Sequence, residues 1–435
     1  MSDLEHWYYN CEDTVRTYEI AQVEKANLAS MRLEGPNEFQ HALFPAVLQA
    51  MLQGVRIDLG ARAALAKTLK AEMALRLEWL SSALGHDLNP RSSKQLQALF
   101  YTDFQLQKVI KRSTGNPTLD DEALTRLCIR EPIIRPLVRR ISEFRSLGVF
   151  LSTFIDAELD GDERMRCSYN ITGTETYRFS SSTNAFGTGT NLQNIPKGSE
   201  AKEVDDLELP NIRKIFIPDE GYTFFDMDLD RADLYVVVWE ADDIELKQAL
   251  KQGVDIHELN AKTLGISRPL AKSWVHGTNY GGGPRTMAQS CGITVKAAES
   301  MQRRWMDAHP GIKLWHERVQ RQLATTRTVT NKFGYRRFYF DRIEGVLPEA
   351  LAWVPQSTVA CLINRIWVSI YRNLPQVSVL LQVHDSLAGQ FPGMADYLPA
   401  LKGCAKVEIP YDEPLVIPVT IKVSDKSWGD CEPQL

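Results

Sequence analysis

Two apolar runs tipped with acids constrain this chain more than any other feature. Residues 222–230 read YTFFDMDLD, an aromatic strand pattern whose far end carries Asp226, Asp228 and Asp230. Residues 378–391 read SVLLQVHDSLAGQF, two short strands around an acidic turn that holds His384 and Asp385. Alternate residues of a strand share a face, so the three aspartates of the first run are expected together. A carboxylate at the tip of a buried strand needs a partner, and crowded like charges repel unless a cation lies between them. Taken singly, the first run reads equally well as a solvated strand end and the second as a structural acid. Taken together, they fit a pair of divalent cations clamping the attacking and leaving oxygens of a phosphoryl transfer.

The rest of the chain frames these strands with helices. Residues 1–35 read as a polar helix with Tyr9, Val15 and Ile20 on its apolar side. Residues 41–85 give two helical patterns around a short extended GVRID, with Gly85 as a stop and Ser92 as the cap of the next helix. KRSTGNPTLDD (111–121) is a basic, polar loop, and two more helices run to about residue 155. RMRCSYNITGTE (164–175) alternates like a strand, ADLYVVVWEADD (232–243) reads as a helix, and 255–340 is helical and basic. A helix over 349–373 and a strand in VIPVTIKV (416–423) complete the pattern. The class is α+β: a helical lobe, a mainly antiparallel sheet, and a helical insertion between sheet strands.

At 435 residues the chain is too long for one small domain, and 44% hydrophobic with 24% charged residues excludes a fibrous repeat or global disorder. No run approaches about 18 apolar residues, so no membrane span is expected. The acidic, aromatic start shows no signal peptide. Seven cysteines without a CxxC pair point to reduced thiols in a cytosolic-type compartment and away from structural zinc. The net charge of −5 conceals a pattern: +6 over 51–150, −11 over 200–260 and +10 over 261–345. A solvated surface explains one such excess. Three alternating blocks fit metal-binding carboxylates set between surfaces that hold polyanions.

Arg268, Lys272, His276 and Tyr280 recur every four residues, which places them along one stripe of a helix. Any two of them suit an ordinary amphipathic surface helix. Two cations followed by two flat rings suit a nucleoside triphosphate, the cations on its phosphates and the rings on base and sugar.

The acid-tipped strand, this helix and the His-Asp turn come in an order that resembles family A DNA polymerases. These are the bacterial polymerase I type, and also replicative enzymes of short-tailed phages and of mitochondria. TETYRFSSSTNAFGTGTNLQNIP (174–196) resembles the family's T-x-T-G-R-L-S-S … N-L-Q-N-I-P segment. IRKIFIPDEGY (212–222) resembles the approach to the first catalytic strand, and DIHELNAKTLG (255–265) a D-I-H-x-x-T-A helix start. VTNKFGYRRF (329–338) resembles V-x-T-x-x-G-R-R-R, and WVPQSTVACLINR (353–365) the helix before the His-Asp turn.

The resemblance runs from about residue 40 to the end. It implies a right-hand polymerase with an antiparallel-sheet palm and helical thumb and fingers. Residues 39–160 would be thumb, 161–240 and 346–435 the two parts of the palm, and 241–345 the fingers. Residues 1–38 would be a remnant of an exonuclease domain's last helix, with Tyr9 and Asp13 on its Y-x-x-x-D motif. The implied activity adds dNTPs to a primer 3′ end on a DNA template, in replication (viral enzymes included) or repair. It uses two Mg²⁺ ions, with Mn²⁺ as a substitute. Asp228 and Asp385 would bind the metals, completed by the Leu229 carbonyl. Lys272 and Arg268 would hold the triphosphate, with Arg231 and His257 also at the nucleotide. Asp233 would be the acidic gate against ribonucleotides, with His276 on base and sugar and Tyr280 beside the templating position. Arg178, Asn191, Gln193, Asn194, Gln356 and His384 would touch primer–template DNA. Basic residues at 91–94 and 111–112 would grip duplex phosphates.

The sequence also departs from the family pattern. The gate is Asp233 rather than Glu, the ring is His276 rather than Phe or Tyr, and Ser386 follows the His-Asp pair in place of Glu. Asp228-Leu229-Asp230-Arg231 stands for the usual D-Y-S-Q, and Tyr177 stands where the family has Gly. The earlier exonuclease motifs find no place before residue 39, so a separate 3′–5′ exonuclease subunit is an expected partner, with a processivity factor. No membrane is implied, and the expected location is the cytoplasm, a host's if the chain is viral. Two rivals stay open. A single-subunit RNA polymerase shares the palm and often has His-Asp-Ser at the turn, but the Asp233 gate and the NLQNIP segment oppose it. A catalytically silent DNA-binding subunit is opposed by the intact Asp228, Asp385 and Lys272.

Overall fold

A computed structural model describes residues 2–111, 113–198, 209–393 and 396–433. Helix α1 (Asp3–Met31) starts at a reciprocal cap, in which Ser2 Oγ accepts from the Glu5 N–H and Glu5 accepts from the Ser2 N–H. None of its residues is buried. Helix α2 (Glu34–Gln53), strand β1 (Val55–Ile57) and helix α3 (Leu59–Leu84) follow as expected. Asp58 caps α3 by accepting from the Ala61 N–H at 2.9 Å, and Gly85 ends it at φ 74°, a left-handed position where a side chain would strain. Helix α4 (Ser93–Gln97) is capped by Ser92 and runs into a π-helical turn over Ala98–Asp103. Helices α5 (Asp121–Arg130) and α6 (Arg135–Phe150) complete a lobe with its own core of Leu80, Phe100, Leu124, Leu127 and Ile141.

The single strand expected from residue 164 divides into β2 (Arg164–Met165) and β3 (Ser168–Asn170). It divides because the two pieces pair with different partners, β2 with β1 and β3 with β4 (Ser180–Ser182). Strand β5 (Phe216–Ile217) joins the other edge of β1. The chain then enters the main sheet with β6 (Tyr222–Leu229).

A long helical excursion follows: α7 (Ala232–Ala241), α8 (Ile244–Lys251), α9 (Ile256–Leu264), α10 (Arg268–Asn279), α11 (Pro284–Cys291), α12 (Val295–Ala308) and α13 (Pro310–Thr326). The hairpin β7 (Thr328–Thr330) and β8 (Arg336–Phe338) leads to α14 (Ile343–Asn373). The sheet resumes with β9 (Ser378–Val383) and β10 (Ser386–Pro392), then α15 (Leu398–Cys404), β11 (Val419–Ser424) and β12 (Glu432–Pro433). Its order is β12-β11-β6-β10-β9, antiparallel throughout. This is the expected α+β architecture, with β6 central and the excursion inserted between it and its partners.

Helix α14 begins at Ile343 rather than 349 and carries Pro348 and Pro355 within it. By length and composition it could cross a membrane, although it holds no unbroken run of about 18 apolar residues. In the fold, 72% of that apolar window is buried, and residues such as Leu362, Ile363, Ile366 and Trp367 join the core beneath the sheet.

Candidate active site

Sheet register brings the two acidic ends together. Ser386 lies opposite Asp228, so Asp385 in the turn stands beside Leu229, whose N–H donates to the Asp385 carbonyl at 3.2 Å. Asp228 presents its carboxyl to solvent, yet the protein around it raises its pKa from 3.8 to about 6. Desolvation contributes most, then the charges of Asp385 and Asp226. Asp226 is one pleat back and buried, with Oδ1 lacking any partner and Oδ2 3.8 Å from the Arg213 guanidinium. Arg213 is itself buried, lies 3.9 Å from the Trp428 ring centroid, and donates to the Ile195 carbonyl at 3.1 Å. Asp230 lies past the strand end, and its charge also raises the Asp228 pKa, after those of Asp385 and Asp226. Strand β6 ends at Leu229, the chain turns at Arg231 (φ 52°), and Thr420 Oγ1 donates to Asp230 at 2.8 Å.

The His-Asp turn is braced from behind. Val383 pairs with Ser386, leaving His384 and Asp385 as a two-residue turn with His384 at φ 58°. Such hairpin turns need a positive φ at their first central residue, and a non-glycine residue there is strained. The Gln382 amide donates to the His384 carbonyl at 2.7 Å, and the Gln193 amide donates to Gln382 Oε1 at 2.8 Å. Asn191 Oδ1 accepts from the Gln193 N–H at 3.0 Å and from Ser181 Oγ at 2.6 Å. Asn191 and Gln193, expected at DNA, are thus engaged inside the protein as a brace for the turn, while Asn194 is exposed. Gln356 is half-buried on α14. Arg178 is half-buried between the two halves of the site. Partial burial and then the Arg178 charge hold His384 below the ordinary imidazole range, and the same charge reaches Tyr280.

The stripe on α10 assembles with neighbours from α7 and α9. Lys272 is exposed and pairs with no carboxylate among the described residues. Arg268 Nε donates to Asp255 Oδ2 at 2.9 Å, and Asp255 also caps α9 by accepting from the His257 and Glu258 N–H groups. Burial opposes ionisation of Asp255, but the Arg268 hydrogen bond and the cap outweigh it and hold the carboxyl below its usual range. The His257 ring lies 5.7 Å from that of His276, which lies 6.1 Å from Tyr280. His257 is buried with Nδ1 unpartnered, and desolvation followed by the His276 charge lowers its pKa to about 4, so it is neutral at pH 7. Tyr280 donates to Asp233 Oδ2 at 2.9 Å, tying the stripe to the helix that leaves the acidic strand. Arg231 is engaged elsewhere, donating to the Val254 carbonyl at 3.0 Å. Farther out, Arg91 and Lys94 are exposed and Lys111 reaches Asp120 at 3.8 Å. Arg112 lies outside the described residues.

Sequence reasoning missed Arg213, Gln382 and Asp255 as parts of the site. The Asp255 cap could have been found from the D-I-H start of α9. Arg213 carries no local signal, because its partners come from three separate segments.

The acidic pair suits a divalent cation. Among the described residues no group of three or more His, Cys, Asp or Glu forms a metal cage. Mg²⁺ is commonly held by one or two carboxylates and completed by water and substrate phosphates, so two carboxylates and the Leu229 carbonyl are a sufficient hard-oxygen set. The orphaned Asp226 Oδ1 has no hydrogen-bond donor, and the raised Asp228 pKa shows that burial and the neighbouring acids disfavour its charge.

Residues 61–430 match the sequence profile of DNA polymerase family A. The chain belongs to this family. A thermostable DNA polymerase I of Thermus filiformis is 30% identical over 406 residues, 86% of this chain and 46% of that protein. The thermostable DNA polymerase I of Thermus aquaticus is 27% identical over 452 residues, covering 95% and 51%. The DNA polymerase I of Treponema pallidum is 29% identical over 374 residues, covering 80% and 35%. The chain thus spans about half the length, or less, of these family A relatives. Among solved structures, the polymerase domain of Pol1 from M. smegmatis, in complex with DNA primer-template and dNTP, superposes with a TM-score of 0.81. It is 22% identical and covers 95% of this chain and 74% of that one, so this chain has the family A polymerase-domain fold.

Proposed function

We propose that this chain is a DNA-directed DNA polymerase that joins dNTPs to a primer 3′ end by two-metal-ion phosphoryl transfer. The observation that carries the reading is the pairing of β6 with β10. It sets Asp228 beside Asp385, while α7 links that strand end to the Arg268–Lys272–His276–Tyr280 stripe through the Tyr280–Asp233 bond. Family membership and a structural neighbour solved with primer-template and dNTP support the same substrates.

Asp228 and Asp385 would hold two Mg²⁺ ions, which when bound would acidify the primer hydroxyl and neutralise charge on the phosphates. The protein's own groups do the rest. Lys272, with no acidic partner among the described residues, offsets the charge that builds on the leaving pyrophosphate, and Arg268 does so when it releases Asp255. Neutral His257 offers a single N–H to a phosphate oxygen rather than a charge. Asp233, held by Tyr280, occupies the sugar side of the pocket. Gln193 and Gln382 keep Asp385 aimed by bracing the His384 carbonyl.

Primer extension with dNTPs and NTPs in parallel, with and without Mg²⁺, tests the reading. Metal-dependent extension with dNTPs is expected. Extension with NTPs alone would favour the RNA polymerase rival, and no pyrophosphate release from either pool would leave only a binding role.

A further inference from the structure

An exposed edge beyond the β7–β8 hairpin carries a pattern that the site above does not use. Arg336, Phe338, Phe340 and Arg342 alternate along the chain, and the residue between the two rings, Tyr339, is buried. Phe340 is 93% exposed and Phe338 49%, against 3% for Tyr339. The alternation continues the hairpin past β8, since the Tyr339 N–H donates to the Arg327 carbonyl at 2.8 Å. A period of two puts both rings on one side, with Arg336 before them in β8 and Arg342 after them, past a bend at Asp341. Two extended residues rise about 6.7 Å, roughly twice the ~3.4 Å rise of stacked bases.

The charge of this edge names its occupant. Residues 327–342 hold five Lys/Arg against one acid. Arg337 points the other way, into Glu175 and Glu349. Arg342 is exposed and Arg336 half-buried, and no ion pair to a carboxylate is seen for either among the described residues. Lone exposed rings are common on protein surfaces, but rings flanked by unpaired cations match what unpaired nucleic acid needs: stacking for bases and charge for phosphates. The edge is joined to the body that carries the stripe: Tyr177 donates to the Arg336 carbonyl at 3.1 Å, and Tyr177 and Tyr280 both pack against the cluster that buries Tyr339.

We propose that Phe338 and Phe340, flanked by Arg336 and Arg342, bind the unpaired template strand ahead of the templating base. The proposal rests on the polymerase reading for its direction, and on the edge itself for its ligand chemistry. The test is fluorescence anisotropy with the full chain and two labelled duplexes, one blunt and one with a 5′ single-stranded overhang. The wild type is expected to prefer the overhang. The variant Phe338→Ala/Phe340→Ala should lose at least about fivefold in affinity for the overhang, the lower end for one stacked base, with blunt-duplex affinity unchanged. Phe340→Trp should keep the preference. Equal affinities for both duplexes in the wild type, or an overhang affinity untouched by the double variant, overturns the proposal. So does a loss seen only on a nicked duplex carrying a displaced flap. Failure of dNTP incorporation with the overhang preference intact would instead defeat the polymerase reading and leave the surface as a single-strand site.

Discussion

At the scale of single residues, the proposed function assigns chemistry and sugar choice to different side chains. Asp228→Asn and Asp385→Asn should each abolish primer extension while duplex binding, measured by anisotropy, survives. Each removes a proposed metal ligand but touches none of the exposed cations proposed to hold phosphates. A variant retaining more than about a tenth of the rate, a loss under ~1.4 kcal/mol, would show that the pair does not hold the metals. The gate makes a different prediction. Asp233 is pinned by Tyr280 at 2.9 Å, so its shorter side chain is held in place rather than left to swing. Asp233→Ala should raise ribonucleotide incorporation by about tenfold or more, in the range of ~1–3 kcal/mol for a steric pocket. His276→Phe removes a ring that can hydrogen-bond and should increase discrimination against dideoxynucleotides. Competitive incorporation of the three sugars checks both, and unchanged ratios would show that these residues only pack. The same scale explains Tyr177. It sits at φ 59°, the left-handed region that favours the family's glycine, and in exchange meets Tyr335 edge to face at 4.5 Å and donates to the Arg336 carbonyl. Asp228, Asp385 and the stripe were legible because period two and period 3.6 are local. Arg213 and the Gln193–Gln382 brace were not, because they pair segments far apart in sequence and nothing local marks a side chain for such a partner.

At the scale of elements, α3 and α6 are joined by one buried acid. Glu143 on α6 accepts from Arg76 Nε of α3 at 3.1 Å, and from Arg139 and Arg140 of its own helix at 3.0 and 2.8 Å. Burial alone would raise the Glu143 pKa, but hydrogen bonds from Arg140 and Arg139 and the Arg140 charge outweigh it, and the pKa lies below 4.5. The folded state therefore binds this proton less readily than the unfolded chain. The stability so contributed is fully present above about pH 4.5 and is lost as pH falls through the lower, folded-state value. Glu143→Ala should cost about 3 kcal/mol at pH 7, since it strands Arg76 in the interior with only Glu72 beside it. The difference from wild type should shrink as pH falls below 4.5. Urea unfolding at a series of pH values measures this, and a difference that stays constant down to pH 3 would remove Glu143 from the account. Helix limits in this lobe were legible from caps such as Ser92 and Gly85, which act within a few residues. The division of β2 from β3 was not, because strand ends are set by partners, and β1 and β4 lie on either side in sequence.

At the scale of the whole molecule, the central strand of the sheet is flanked by strands from the end of the chain and not by its neighbours in sequence. Strand β6 lies between β10 and β11, both of which arrive after the long helical excursion. The acid pattern and the helical insertion were visible in the sequence, but the strand order was not, since strand patterns do not name their partners. This order makes the two ends of the chain unequal. Helix α1 buries none of its residues, and its Trp7, Tyr8 and Tyr18 are all exposed, so residues 2–31 add almost no hydrophobic stabilisation. The other end lines β6 from Val419 to Ser424, buries Ile421, and places Trp428 against Phe216, Phe224 and the Arg213 guanidinium. Losing one such buried Trp costs about 3–5 kcal/mol, and a bare β6 edge with an unsupported Arg213 adds to that, against a typical total of about 5–15. Removing residues 2–31 should therefore shift the thermal midpoint by no more than a few degrees. Removing 419–435 should leave no cooperative transition, although it touches none of the residues of the acidic pair or the stripe. Circular dichroism melts of both truncations decide it. Comparable midpoints would mean that β11 is dispensable and that the pairing with β10 alone holds Asp228 beside Asp385.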